Sequence, residues 1–425
     1  MLALMIFEQG RFGMKLRMIA VSVLIATIGL IVCSWASQKT ESVRWRHLST
    51  VTGDLPKPNN GDQQTSSLVL DIDKDGVNDF VITERTKAPA VLWYRRSSNG
   101  WIRFIVDNEP LHIEAGGDFH DIDSDGDLDI VFAGDWQNNK VWWWENPHPN
   151  YEPNTPWKRR EIKNSGANKH HDQIFGDFDG DGKAELVFWN QGGCKLYIAE
   201  IPENPGKVPS SAGWQCTEIY SYSGDSEMEQ RGTYPGFKAV NEHEGLAKAD
   251  IDGDGKIDIV GGGRWFKHTS GTTYTPNIID AGYAFSRSAA GQLIKGGRPE
   301  VVLVVGDGWA PLVMYEWKKG VWVSKKLIDE VDCGHSLDII DFNGDGNLDI
   351  WLAEMRLNNG NPDAKNLILL GDGKGNFQTI EVSSGIELHE SKIADLDGDG
   401  DLDILGKPYN WQSPRLDIWL QERRP

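Results

Sequence analysis

The chain has 425 residues, a net charge of −20, 47 glycines and 10% aromatic residues. An acid excess of this size with no Lys/Arg cluster excludes nucleic acid as a partner. The aromatic and glycine content excludes a disordered chain and points to a turn-rich globular protein with a sizeable core.

Arg11, Lys15 and Arg17 precede an uncharged stretch from Met18 to Ser37. This is the charge order of a signal peptide or an N-terminal membrane anchor over residues 1–36. Ser34-Trp35-Ala36 offers small residues for cleavage, while about 20 uncharged residues also suffice to span a bilayer. Leu30-Ile31-Val32-Cys33 is similar to a lipoprotein box, with Val32 in place of the small residue. Either way residues 37–425 are expected to be exported, to the periplasm, the exterior or the membrane surface, with membrane contact only through the leader. Cys194, Cys216 and Cys333 remain in that part. The first two fall on neighbouring strands of one repeat, which leaves a disulfide open, and Cys333 reads as a buried thiol.

From residue 71 onward one nine-residue phrase recurs. Its copies are Asp71, Asp73, Asp75 and Asp79; Asp121, Asp123, Asp125 and Asp129; Asp177, Asp179, Asp181 and Glu185; Asp250, Asp252, Asp254 and Asp258; Asp341, Asn343, Asp345 and Asp349; and Asp395, Asp397, Asp399 and Asp403. A degenerate copy lies at Gly291 to Glu300, where Lys295-Gly296 replaces the Asp-Gly pair. Lys295 is expected there to stand in for a metal and pair with Glu300. The seven starts are 41 to 73 residues apart, which suits one four-stranded blade per repeat.

Each copy sits between apolar runs such as Ser67–Leu70 and Phe80–Ile82, which read as strand, loop, strand. A third strand follows, as at Val91–Tyr94, and a fourth near an aromatic, as at Trp101–Phe104. The expected fold is therefore all-β, a seven-bladed propeller of four-stranded blades over 37–425. The last repeat runs out of chain after Leu416–Leu420, and Val43–Thr50 looks like an unattached fourth strand. That strand should close the last blade and remove the exposed edges.

Oxygens at positions 1, 3, 5 and 9, a carbonyl at position 7 and a turn-forming Gly at position 6 suit a hard cation. Up to six structural calcium ions are expected. The six loops lack the Glu that an EF-hand needs at position 12, and β runs follow them. The pattern resembles the FG-GAP and VCBS repeats of integrin-type and bacterial propellers over residues 43 to 425, and the resemblance implies the same fold and calcium loops.

Six or seven residues before each loop, where the innermost strands start, stand Thr65, Glu114, His170, His171, His243, Glu244, His335, His389 and Glu390, with Arg287 in the degenerate repeat. Loops between second and third strands should reach the same face and bring Trp136, Arg264, Trp265, Trp309, Arg356, Lys407, Tyr409 and Trp411. Aromatic platforms beside charged groups suit a carbohydrate, acidic or keto in character. Histidines converging from several blades also suit a further divalent metal.

As an enzyme, His171, His243, His335 or His389 would abstract a proton, Arg287 would hold a carboxylate and Tyr409 would protonate the leaving oxygen, a β-elimination. This arrangement is similar to the propeller domains of aldos-2-ulose dehydratases and to propeller polysaccharide lyases. The alternative is a non-catalytic propeller that binds a glycan or an extracellular protein. Most of the 18 Trp residues should pack between blades, Trp142, Trp143 and Trp144 alternating between faces.

Overall fold

The computed structural model describes residues 43–222 and 242–422. The leader expected over 1–36, with Cys33, lies outside them. No helix among the described residues is long and apolar enough to cross a membrane. These residues form seven four-stranded antiparallel sheets arranged as the blades of a propeller. In the first blade β2 (Gln64–Leu70) is innermost, followed outward by β3 (Asp79–Glu84), β4 (Val91–Ser97) and β5 (Gly100–Asp107). The last blade is built from β26 (Lys392–Ala394), β27 (Asp403–Gly406), β28 (Asp417–Glu422) and then β1 (Arg44–Ser49), so the N-terminal strand closes the ring as the repeat count requires.

Alternation of side chains along each strand supplies two apolar faces per blade, and the cores lie between neighbouring blades. Trp142 and Trp144 pack with Trp93, Phe104 and Phe132 on one side. Trp143 points the other way, against Ile162, Phe175 and Leu186. All three are at most 1% exposed, and truncating such a ring to Ala costs about 3–5 kcal/mol.

The loops share one construction. Their second residue, Ile72, Ile122, Phe178, Ile251, Phe342 or Leu396, is buried. The sixth is glycine at φ 79° to 93°, a conformation that penalises a Cβ. In all six loops this glycine's N–H donates to the first Asp, at 2.9 to 3.1 Å.

The degenerate loop runs one residue later than the sequence pattern placed it. Gly291 pairs with Glu300 as Leu70 pairs with Asp79, so Gln292 holds the first position, buried Leu293 the second, and Gly297, at φ 87°, the sixth. Lys295 does not pair with Glu300 in the described ion pairs. The amide Nε2 of Gln292 instead donates to the carbonyls of Ile294, Gly296 and Arg298. A neutral amide thus gathers the carbonyls of this loop.

Cys194 stands just before β12 (Lys195–Glu200), and Cys216 opens β13 (Cys216–Ser221). Ala199 pairs with Cys216, whereas Tyr222 N–H donates to Cys194 O at the other end. The two thiols are therefore about five residues, roughly 17 Å, apart along the hairpin. No disulfide joins them, and Cys333 is a buried free thiol.

Candidate functional site

The innermost strands carry funnel residues at their start and acidic loops at their end, so the two sets lie at opposite ends of the channel wall. Counting back from the first loop position sorts the funnel into tiers. Six residues back stand Thr65, Ala115, His171, Glu244, Ser286, His335 and His389. Five back stand Ser66, Gly116, Asp172, Gly245, Arg287, Ser336 and Glu390. His171, His335 and His389 line a cavity of about 210 Å³, with Glu114, Trp136 and Tyr409 among the other walls.

The tier below closes this cavity's floor. Arg287 Nη1 lies 2.7 Å from Asp172 Oδ1, and Nη2 lies 2.8 Å from Glu390 Oε1. Asp172 and Glu390 both adopt left-handed backbone, at φ 47°, where the same tier has Gly116 and Gly245 in two other blades. Asp172 is the extra residue of a β-bulge in β10 (His170–Gly176), between His171 and Gln173. The bulge lets His171 and Asp172, consecutive in sequence, both face the channel. Beyond this clamp a second cavity, of about 350 Å³, is lined by Asp118, Lys248, Asp338 and Lys392 together with the clamp residues.

His171 Nδ1 is 2.7 Å from Asp172 Oδ2, and its Nε2 is 3.8 Å from Glu244 Oε2. His335 Nε2 is 3.9 Å from Glu244 Oε1 and 3.8 Å from Asp307 Oδ1, while its Nδ1 is 3.6 Å from Glu390 Oε1. Burial opposes charge on His171, but Asp172 and Glu244 outweigh it and raise the imidazole to about 9. The His389 ring lies 4.1 Å from that of His335, tilted by 36°, and meets Lys407 Nζ at 3.1 Å through Nδ1. Burial, with the cations of His335 and Lys407 beside it, holds His389 well below the usual histidine range. Burial likewise lowers Lys407 to about 7.

The other residues anticipated for the funnel divide sharply. Trp136 is 53% exposed at the rim, with the Arg85 guanidinium 5.0 Å from its ring centroid. Tyr409 accepts a 2.7 Å hydrogen bond from Arg85 Nη1, and Glu114 pairs with the same guanidinium.

His170 and His243, seven residues before their loops, turn into the blades. His170 is fully buried beside Phe188, and His243 stacks on Tyr222 at 3.7 Å with Arg264 Nη1 3.3 Å away. Trp265 belongs to the core between the fourth and fifth blades. Trp411 is buried with the guanidinium groups of Arg356 and Arg415 4.4 and 4.9 Å from its ring centroid. Trp309 is exposed but lies outside the cavity, and Thr65 bonds to Thr83 within its sheet.

Arg85, Asp307 and Gln191 also line the cavity, and sequence reasoning missed them. All three lie just after a second strand, so applying the loop rule to every blade would have found them.

At the other end, Asp71, Asp73 and Asp75, Asp121, Asp123 and Asp125, Asp250, Asp252 and Asp254, and Asp177, Asp179, Asp181 and Glu185 bring their oxygens within 4.8 Å of one another. Buried oxygens without hydrogen-bond partners remain on Asp121, Asp123, Glu185, Asp252 and Asp397. An all-oxygen donor set with such orphans fits a calcium ion. In two loops a side-chain cation already reaches in. Arg95 contacts Asp73, and Lys267 contacts Asp252 and lies 2.7 Å from Asp254.

The ninth residue has a second task. Asp129, Glu185, Asp258, Asp349 and Asp403 each accept the backbone N–H of their loop's second residue, at 2.8 to 3.1 Å. In the degenerate loop Glu300 accepts instead from the N–H of the third residue, Ile294. Asp79, Asp129, Asp349 and Asp403 accept an N–H from the last two residues of the third strand or the residue just beyond it. The position clips loop to sheet whether or not the loop has acids.

Seven blades, a strand closing the ring and repeated Asp-rich loops define a propeller of the FG-GAP type. The FG-GAP-like repeat model matches residues 121–188, 177–261 and 341–406. With the seven-bladed architecture, this places the chain in the FG-GAP-like seven-bladed propeller family. No curated protein matches it. The crystal structure of BBS1N in complex with ARL6DN, soaked with lead, is similar at 13% identity and TM-score 0.51, covering 90% of this chain and 98% of that one. The V. cholerae biofilm matrix protein Bap1 is similar at 11% identity and TM-score 0.45, covering 86% and 88%. At these identities the likeness concerns the fold.

Proposed function

We propose that this protein is an exported, calcium-stabilised propeller that binds a carbohydrate in its histidine-lined funnel. The observation that carries the reading is Trp136. Most described Trp residues are buried between blades, whereas Trp136 is 53% exposed and Trp309 47%; of these two, Trp136 stands over Arg85 at the mouth of the polar cavity. Its ring face suits the C–H face of a sugar, while Glu114, Asp307 and Lys169 suit the hydroxyls.

A binding role is favoured over β-elimination by the engagement of the groups the chemistry would need. Arg287 is committed to Asp172 and Glu390 rather than free to hold a carboxylate. His389 turns Nδ1 to an ammonium, which leaves its other nitrogen as a donor to a ligand oxygen.

Tryptophan fluorescence during titration with neutral and uronate-containing oligosaccharides tests the reading. One glycan class should saturate the signal, and Trp136→Ala should weaken binding on the order of 10-fold, since stacking on an aromatic ring contributes about 0.5–1.5 kcal/mol. If no glycan binds, or Trp136→Ala binds equally well, the carbohydrate reading fails; capture of an extracellular protein by the same rim would then favour the protein-binding alternative. Accumulation of an ultraviolet-absorbing unsaturated sugar would restore the lyase reading.

A further inference from the structure

We infer that His171, Glu244 and His335 form a binding site for one divalent transition-metal ion at the floor of the funnel. The site stands independently of what the funnel binds. Its three residues occupy one tier of three blades, six residues before the respective loops, and all are at most 6% exposed.

The spacing around Glu244 leaves room for an ion beside the Arg287 ion pairs. Glu244 turns one oxygen to each imidazole, at 3.8 Å for His171 Nε2 and 3.9 Å for His335 Nε2. Both separations are too long for hydrogen bonds. Ligands about 2.1 Å from a shared tetrahedral ion stand roughly 3.4 Å apart, so an inward movement would bring the three groups to ligand spacing. Glu244 Oε1 is buried with no hydrogen-bond partner, the Arg287 guanidinium standing 3.8 Å away as an ion pair only, a costly state for a carboxylate oxygen unless something else satisfies it. Gly306 allows the backbone this close, since a Cβ there would lie 2.7 Å from Glu244 Oε1.

The surroundings are those of metal-bound imidazoles. Each histidine that turns Nε2 to Glu244 has a carboxylate behind its Nδ1, Asp172 at 2.7 Å and Glu390 at 3.6 Å. Of these two carboxylates, Asp172 fixes the His171 ring and the tautomer that leaves its Nε2 free to ligate, whereas Glu390 stands beyond hydrogen-bond reach of His335 Nδ1. Arg287 holds both of them. The left-handed backbone of Asp172 and Glu390 places them there, and strain of this kind concentrates at functional sites.

His389 is not a ligand in this arrangement, because Lys407 faces its Nδ1. Asp307 Oδ1, 3.8 Å from His335 Nε2 and 42% exposed, can add a fourth ligand from the rim. Two imidazoles and a carboxylate select zinc, iron, manganese or cobalt over calcium, whereas the oxygen-only loops select calcium. One chain would thus hold two classes of metal at opposite ends of its channel.

The test uses the whole protein, stripped of metal and reloaded with excess Ca²⁺, then titrated with Co²⁺. The expected result is one Co²⁺ per chain, with visible ligand-field absorption that Zn²⁺ removes. Glu244→Gln and His335→Ala should abolish this absorption, Asp172→Asn should weaken binding 10- to 100-fold, and Asp125→Ala should leave it unchanged. If wild-type protein in Ca²⁺ shows no stoichiometric Co²⁺ absorption, the site is refuted without recourse to any variant. Equal binding in folded Glu244→Gln and wild type would overturn it as well. Near-ultraviolet circular dichroism identifies variants that fail to fold, and the isosteric Glu244→Gln then decides.

Discussion

His47 Nε2 lies 2.9 Å from Asp417 Oδ1, joining residues 370 positions apart where β1 meets β28. Arg415 grips the same carboxylate at 2.6 Å, and the His47 ring stacks on Trp419 at 4.8 Å. Thr50 N–H donates to Leu416 O beside them. Without β1, β28 becomes a free edge able to pair with another chain. Deleting residues 43–50 should therefore produce aggregation or a lowered melting temperature; a monomeric truncation melting at the wild-type temperature would contradict this closure.

Asp417 also gives the seam a pH dependence. Burial opposes its ionisation, but hydrogen bonds from His47 and Arg415 prevail and hold its carboxyl below the usual range. A carboxyl with a folded value below its unfolded value, about 3.9, stabilises the fold above that value and loses this contribution as pH falls through the folded one. Asp417→Asn should be destabilised at pH 7, where Arg415 loses a buried charged partner at a cost of up to about 3 kcal/mol. The gap from wild type should narrow below about pH 4. Parallel pH–melting curves would show that the carboxylate's charge is immaterial.

Calcium should stabilise the fold through the loops. A ligand that binds only the native state at 100 times its dissociation constant contributes about 2.7 kcal/mol per site, so chelation should lower the melting temperature and Ca²⁺ restore it. Asp125→Ala should reduce the bound calcium by one ion, because Asp121, Asp123 and Asp125 share one loop. Lys267→Met should tighten the loop at Asp250, since it removes an ammonium from Asp252 and Asp254. Equilibrium dialysis reads both outcomes, and unchanged stoichiometry in Asp125→Ala would remove that residue from the ligand set.

Glu300 separates clipping from metal binding. It accepts Ile294 N–H at 2.8 Å in a loop that lacks the acids, so Glu300→Ala should cost about 1–3 kcal/mol by leaving that donor unpaired, with no change in bound calcium. Burial raises its carboxyl from 4.5 to about 7. A raised folded value means the stability is present below the unfolded value and lost as pH rises through the folded one. Relative to wild type, Glu300→Gln should therefore gain stability between about pH 4.5 and 7, as chemical denaturation at several pH values would show; a constant difference would indicate that the carboxyl stays ionised throughout.

The sequence by itself determined the blade count, the loop positions, the closing strand and the pairing of Trp142 and Trp144 against Trp143. These follow from short-range properties: a repeat period, a two-residue alternation and glycine where the backbone must turn left-handed. Tertiary structure decided which of two adjacent histidines faces the funnel. His170 and His171 differ by one position, and the bulge at Asp172 shifts the register there. Tertiary structure also decided that Gln292 rather than Lys295 fills the degenerate loop, because strand pairing between Gly291 and Glu300 sets its register. Arg287 was legible as a channel residue, but its partners Asp172 and Glu390 come from two other blades. Contacts across a ring depend on how seven repeats close on one another, and no local pattern within a single repeat encodes which side chains then meet at its centre.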